Sequence, residues 1–176
     1  MGRAMDDVII AAASATAFTG ETGATSTAAQ TAIAAGGAGL TIAKLRTAKQ
    51  TFDLASVDPS IPRHIVVGPE QITNLLSTTE VTSSDFNTVK ALVQGEIDSF
   101  LGFKFTVSNR LAKSGNDRTC IAFAQDGITL AIGKDVSARI DERADKSYAT
   151  QVYYCQSIGA TRMEEAKVLG IVCQEA

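Results

Sequence analysis

Apolar residues recur with a helical period before Gly102 and largely with a strand period after it. Over Gly2–Ala17 an alanine-rich run with Met5, Ile9 and Ala12/Ala13 at helical spacing predicts a helix. Only Met1 precedes it and no capping residue opens it, which reads as a helix whose beginning has been cut away. The stretch TGETGATSTAAQTAIAAGGAGL predicts a loose connection, with Gly20 and Gly23 free to take positive φ. Thr41 opens the next helix, with Ile42, Leu45, Ala48 or Lys49, and Phe52 along one face, and Asp58-Pro59 lies beyond its end. His-Ile-Val-Val at 64–67 is a short buried strand. Pro69 suits the first position of a helix and Glu70 its first turn, with Ile72, Leu75 and Leu76 inward. Thr82-Ser83-Ser84 offers caps for a further helix carrying Phe86, Val89, Leu92, Val93 and Ile97.

After Gly102 the alternation of Phe103, Phe105 and Val107 with Lys104, Thr106 and Ser108 predicts a half-buried strand. KSGND at 113–117 is a loop. CIAFA and ITLAIG flank Gln125-Asp126-Gly127, where Asp-Gly predicts a hairpin. Val136, Ala138 and Ile140 alternate with Ser137, Arg139 and Asp141 into the charged turn DERADKSY. Helices and strands thus mix without a regular βαβ repeat, which favours α+β over a doubly wound sheet. The end of the chain is the hardest to assign. YYCQSIGATRMEEAKVLGIVC begins and ends like a buried strand but holds Arg162, Glu164, Glu165 and Lys167 between. Strands average about 5–6 residues, so this stretch is an active site, a helix between strands, or one long strand that meets something else.

Composition narrows the function classes. The 176 residues, 45% apolar and 20% charged, suffice for one domain or one domain plus a lobe. Sixteen basic against 19 acidic residues give a net charge of −3, with no basic run to grip a nucleic-acid backbone. Cys120, Cys155 and Cys173 are odd in number and far apart, without a CxxC or Cys/His cluster, so reduced thiols are expected rather than a zinc site. VIIAAASATA imitates a signal-peptide core, yet Asp6 and Asp7 stand where such a peptide needs positive charge. The run also falls short of the roughly 20 residues of a membrane span, so a soluble chain is expected.

Candidate chemistry is sparse. The single histidine, His64, opens an apolar strand with no nucleophile in a recognisable motif beside it. No phosphate-loop, G-x-S-x-G, H-E-x-x-H or D-x-D-x-D-G pattern occurs. Arg139, Asp141, Glu142, Arg143, Asp145 and Lys146 form the densest charge cluster, with nearly balanced signs. A small α+β enzyme would use His64 with Asp141 and Glu142, and that requires a pocket joining them. Balanced charge in a turn fits a solvated surface or ion pairs with a neighbouring subunit better. Arg162, Glu164 and Glu165 read the same way: a solvated helix face, with Glu164 and Lys167 paired, or a strand edge matched to another chain.

Four stretches resemble the major capsid proteins of tailed phages, the Hong Kong 97-like capsid fold. GRAMDDVIIAAASATAFTGETG is similar to the end of that family's spine helix, and RHIVVGPEQITNLLSTTEV to its strand and Pro-led helix. FLGFKFTVSNRL resembles the strand segment that ends in Asn-Arg-Leu, and IAFAQDG through GIVC the return into the peripheral domain. The resemblance implies an α+β capsid subunit with an axial domain at 41–132 and part of a peripheral domain. In it, 1–17 ends the spine helix, 18–40 is a connection and 133–176 supplies long peripheral strands. It further implies a structural protein of the virion, made in the bacterial host cytoplasm, whose partners are other copies of itself. Packaged DNA would be met only non-specifically, with no membrane, small-molecule substrate, cofactor or metal. Family members carry an N-terminal arm, an extended loop and more of the spine helix, so a truncated fragment is expected. A shell protein of a cellular compartment is the alternative within the same fold. On this reading Arg139, Asp141, Glu142, Arg143, Asp145, Lys146, Arg162, Glu164 and Glu165 are subunit-interface candidates. The opening question then resolves into one long strand bent near Gly159, in which Arg162→Ala or Glu164→Ala damages assembly more than folding.

Overall fold

A computed structural model describes residues 2–19, 25–27, 30–77 and 99–175. Helix α1 (Gly2–Ser14) follows the alanine-rich run and stops three residues before Ala17. The expected loose connection contains short strands instead: β1 (Ala17–Thr19) pairs antiparallel with β2 (Thr25–Thr27). A third strand, β3 (Gln30–Ile33), joins the main sheet. Helix α2 (Ile42–Leu54) starts at Thr41, whose side chain accepts the Lys44 backbone N–H at 3.4 Å. It buries Ile42, Leu45, Ala48 and Phe52, so Ala48 rather than Lys49 completes its inner face.

Strand β4 (Arg63–Val67) leads into α3 (Pro69–Ser77), which buries Gln71 and Leu75 while Ile72 and Leu76 stay half-exposed. The helix expected from Thr82 lies outside the described residues. β5 (Ser99–Phe100), β6 (Phe103–Val107), β7 (Lys113–Ser114) and β8 (Asp117–Ala124) follow. KSGND is therefore a tight β7–β8 hairpin turning on Gly115 at φ 62°, a backbone angle that glycine takes without strain. With the last strand, β11 (Val168–Gln174), these elements form a mixed seven-stranded sheet. Its order is β3-β11-β8-β4-β6-β5, with β7 on β8.

Register decides which side chains share a face. Arg63 stands opposite Phe103 and Ala124, Ile65 opposite Phe105 and Ala122, and Leu169 and Ile171 opposite Ala122 and Cys120. All of these are buried, so one face of the sheet is apolar across four strands. Phe52 of α2 meets Phe103 with ring centroids 6.0 Å apart, and the Arg63 guanidinium lies 5.5 Å above the Phe52 ring. Arg63 tolerates this burial because it donates to Asp53 at 2.8 Å and to the Val57 carbonyl at 3.2 Å. The other face carries His64 stacked on Phe123 at 5.6 Å.

The final residues are pinned electrostatically. The Glu175 carboxylate is buried and pairs with Arg118, with Lys113 at 2.5 Å and with the Gln71 amide at 3.2 Å. Arg118 first, then Lys113, hold its carboxyl down at about 2.

Two expectations fail at one place. Strands flank Asp126-Gly127 as expected, but they do not pair with each other. β8 lies in the seven-stranded sheet, whereas β9 (Ile128–Arg143) leaves for a separate two-stranded sheet with β10 (Ala149–Arg162). The last stretch is likewise not one long strand. β10 starts before Tyr153 and ends at Arg162, Glu165–Lys167 make a 3-10 turn, and β11 returns to the main sheet. The two chain crossings are held side by side, with the Met163 N–H donating to the Gly127 carbonyl at 2.9 Å. The register of the β9–β10 ladder shifts between Cys155 and Ile158.

Candidate functional site: an amphipathic two-stranded ribbon

β9 and β10 pair from Ile128↔Arg162 at the root to Arg143↔Ala149 at the tip. At about 3.3 Å per residue the ribbon is roughly 40 Å long. α1 packs along it with its C-terminal end at the root. Thirteen helical residues span only about 20 Å, so the outer half is left uncovered on both faces.

Alternation gives that outer half two characters. Ile140 pairs with Val152 and Ala138 with Tyr154 on one face. Ile140, Val152 and Tyr154 are 70%, 64% and 55% exposed, far beyond what buried strands tolerate. The other face carries Lys134, Ser137, Arg139, Asp141, Gln151 and Tyr153, which line a shallow polar cleft of about 530 Å³. The Cys155 thiol beside Tyr153 pushes the Tyr153 phenol up. At the tip, Ser147 and Tyr148 both take positive φ to reverse the chain.

Six expected interface residues, Arg139, Asp141, Glu142, Arg143, Asp145 and Lys146, are brought together here, all exposed. Arg143 and Asp145 pair within the tip at 2.5 Å. The remaining three lie at the opposite end. Arg162 needs correction: only 4% of it is exposed, and its guanidinium donates to the Ala13 carbonyl at 3.2 Å. A cation at the last carbonyls of a helix is favourable there, so Arg162 seats α1 on the ribbon root rather than facing another chain. Glu164 is exposed but pairs with Lys167 at 2.8 Å, the i, i+3 pair expected of a helical turn. Lys167 also reaches Asp126 at 2.6 Å, which clamps the junction, and these two carboxylates push its ammonium up to about 12. Glu165 is half-buried in the same turn.

His64 and the Asp141/Glu142 pair are not brought together. His64 sits in the main sheet, and Asp141 lies near the far end of a ribbon rooted at Ile128. A second cleft of about 470 Å³, lined by Glu70, Asn74, Gln174 and Glu175 among others, also lacks His64. Among the described residues, no group of His, Cys, Asp and Glu could hold a metal, and no helix is long and apolar enough to cross a membrane.

Charge density drew attention to the ribbon's polar side and missed the apolar one. The signal existed: Val152 and Tyr154 share one parity, as do Ala138 and Ile140, but recognising one face requires the pairing register.

A family model described as phage capsid protein matches residues 1–175. The chain belongs to the phage capsid protein family. Its fold is that of tailed-phage capsid subunits. The capsid of Ralstonia phage GP4 superposes with a TM-score of 0.69 at 11% identity, over 99% of this chain and 64% of that one. For Mycobacterium phage Che8 the TM-score is 0.67 at 19% identity, over 97% of this chain and 59% of its counterpart. The cyanophage P-SCSP1u capsid gives 0.66 at 15% identity, over 98% and 61%. This capsid-family chain thus spans about three fifths of the length of the structures it matches. No curated protein matches its sequence.

Proposed function

We propose that this chain forms the shell-building part of a tailed-phage major capsid protein, a structural subunit that associates with copies of itself into capsomers and a closed head. The observation that carries this reading is the family match over residues 1–175. The geometry supports it, since the described residues form a packed sheet and a long exposed ribbon, and His64 and the Asp141/Glu142 pair share no pocket among them. Shells are held by many modest contacts repeated by symmetry, with mixed polar and apolar patches. The two-faced ribbon offers both kinds. Residues 41–132 act as the axial domain, and α1 with the ribbon acts in the peripheral domain. β11 follows the ribbon in sequence but is built into the main sheet, so the boundary near 133 is crossed twice. Arg139, Asp141, Glu142, Arg143, Asp145 and Lys146 serve contacts between subunits, while Glu164 and Glu165 border the junction.

The protein resides in the virion capsid after synthesis in the host cytoplasm, meets packaged DNA without sequence preference, and needs no small molecule or membrane. The test is to express the complete reading frame that contains this chain and image the product by electron microscopy. Shells or capsomers are expected; a product that stays strictly monomeric under assembly conditions overturns the reading.

A further inference from the structure

The ribbon's two edges differ in a way that its faces do not explain. Among the described residues, β9 and β10 pair only with each other, so each presents an open row of backbone donors and acceptors. Such edges invite a further strand unless something blunts them. β9 is blunted twice. It carries Lys134, Asp135, Arg139, Asp141, Glu142 and Arg143, and it also holds the irregularities of the ladder. From Cys155↔Ser137 to Ser157↔Lys134 and on to Ile158↔Ile132, β9 advances one residue more than β10 at each step, so both bulges lie on β9. β10 has neither protection. From Ala149 to Thr161 it contains no charged residue and no proline.

Width adds a second argument. A two-stranded sheet is marginal in water unless further strands or a packed layer support it. α1, about 20 Å long and seated at the root by Arg162, is too short to give that support beyond the inner half of the ribbon.

From these observations we infer that the free edge of β10 pairs with β10 of a second copy of this chain, antiparallel about a two-fold axis at Tyr153. This rests on the chain being a self-associating subunit, and it assigns that association to one edge. The strand matches itself. About such an axis Val152 faces Tyr154 of the second copy, Gln151 faces its Cys155 and Thr150 faces its Gln156. The ladder within each chain, Ile140↔Val152 and Ala138↔Tyr154, then extends into two apolar rows across four strands. Each row runs Ile140, Val152, Tyr154 and Ala138, the last two from the second copy. Aromatic and β-branched neighbours of this kind stabilise a sheet directly. The absence of charge is what permits a strand to face its own copy, because any charged residue at the axis would meet its like. A different partner strand would need no such match, so the self-complementarity favours a second copy.

The decisive experiment places a thiol at the partner position. Within one chain, residues 151 and 155 are about 13 Å apart along an extended strand, beyond the reach of a disulfide. A bond between Gln151→Cys and the native Cys155 therefore forms only between two copies. Oxidation of the Gln151→Cys chain with diamide is expected to give a covalent dimer whose linkage maps to 151–155, and adding Cys155→Ser abolishes it. In the unlabelled chain, Tyr153→Lys puts two ammonium groups at the axis and weakens association about tenfold in sedimentation equilibrium, with unchanged circular dichroism. Hydrogen exchange supplies a readout free of cysteine variants: the outward amides of β10 gain protection as concentration rises. If the complete product assembles but no 151–155 linkage forms in it, the edge assignment is overturned and the capsid reading stands. If a strand from elsewhere in the same chain occupies the edge, the linkage is likewise absent and the inference falls. If the complete product neither assembles nor cross-links, both fail.

Discussion

Glu175 is a carboxylate buried among two cations and an amide, and its ionisation is written into the stability of the chain's end. Its carboxyl is lowered from 4.5 to about 2, so the folded state binds this proton less readily than the unfolded one. The stabilisation is fully present above pH 4.5 and is lost as pH falls from there to about 2. Thermal unfolding followed over that window should show a falling melting temperature. Glu175→Gln should flatten the slope and cost about 2 kcal/mol at neutral pH, because Arg118 keeps its burial and loses its partner. Arg162 makes a second residue-scale case. Removing a buried guanidinium from the end of α1 should destabilise the isolated chain by about 2 kcal/mol, read as a lower midpoint in urea. An Arg162→Ala chain that unfolds like the parent would show that α1 is seated by something else. Neither role was legible from spacing. Arg162 stands in a run of charges that looks solvated, and only the β10 register with the helix above it makes that position interior.

At the scale of elements, the sequence announced most of the main sheet and its covering helices. Thr41 as a cap, Pro69 at a helix start and the Phe103/Phe105 alternation are local signals backed by local physics. The errors cluster where two segments remote in sequence decide together. Asp126-Gly127 does turn the chain, as its chemistry dictates, but the strands on either side find better partners elsewhere. β8 pairs with β4 and β11, and β9 pairs with β10. Gly127 is required there for closeness rather than for turn type. A methyl group on its Cα would lie 2.9 Å from the Lys167 carbonyl oxygen and 3.1 Å from that of Ala124. Both are backbone atoms that cannot rotate away. Gly127→Ala should therefore cost about 2 kcal/mol by chemical denaturation, with Gly159→Ala, which meets nothing within 4 Å, close to neutral in this respect. Equal effects at the two glycines would mean that the junction is not tight.

For the molecule as a whole, buried packing and exposed surface are divided between two sheets. The main sheet buries a continuous apolar face under α2, with Leu75 of α3 in the same core. Outside the covered root, the ribbon exposes large apolar side chains, and among the described residues neither of its edges is paired. Opening energies should follow the same division, since regions with few buried contacts open at low cost while core strands open only on global unfolding. In the dissociated chain, amides of β4, β8 and β11 should exchange slowest, and those of the outer ribbon, about 136–154, should exchange orders of magnitude faster. On assembly of the complete protein the order should change in one place only: the outer ribbon gains protection, and the main-sheet strands keep theirs. Mass spectrometry of exchanged peptides from free and assembled protein reads both states. A ribbon already as protected as β8 in the free chain would show that it carries its own stability and that assembly contacts lie elsewhere. A ribbon that stays unprotected inside the shell would remove it from the subunit interface, leaving the charged tip and its apolar neighbours as surface without a partner.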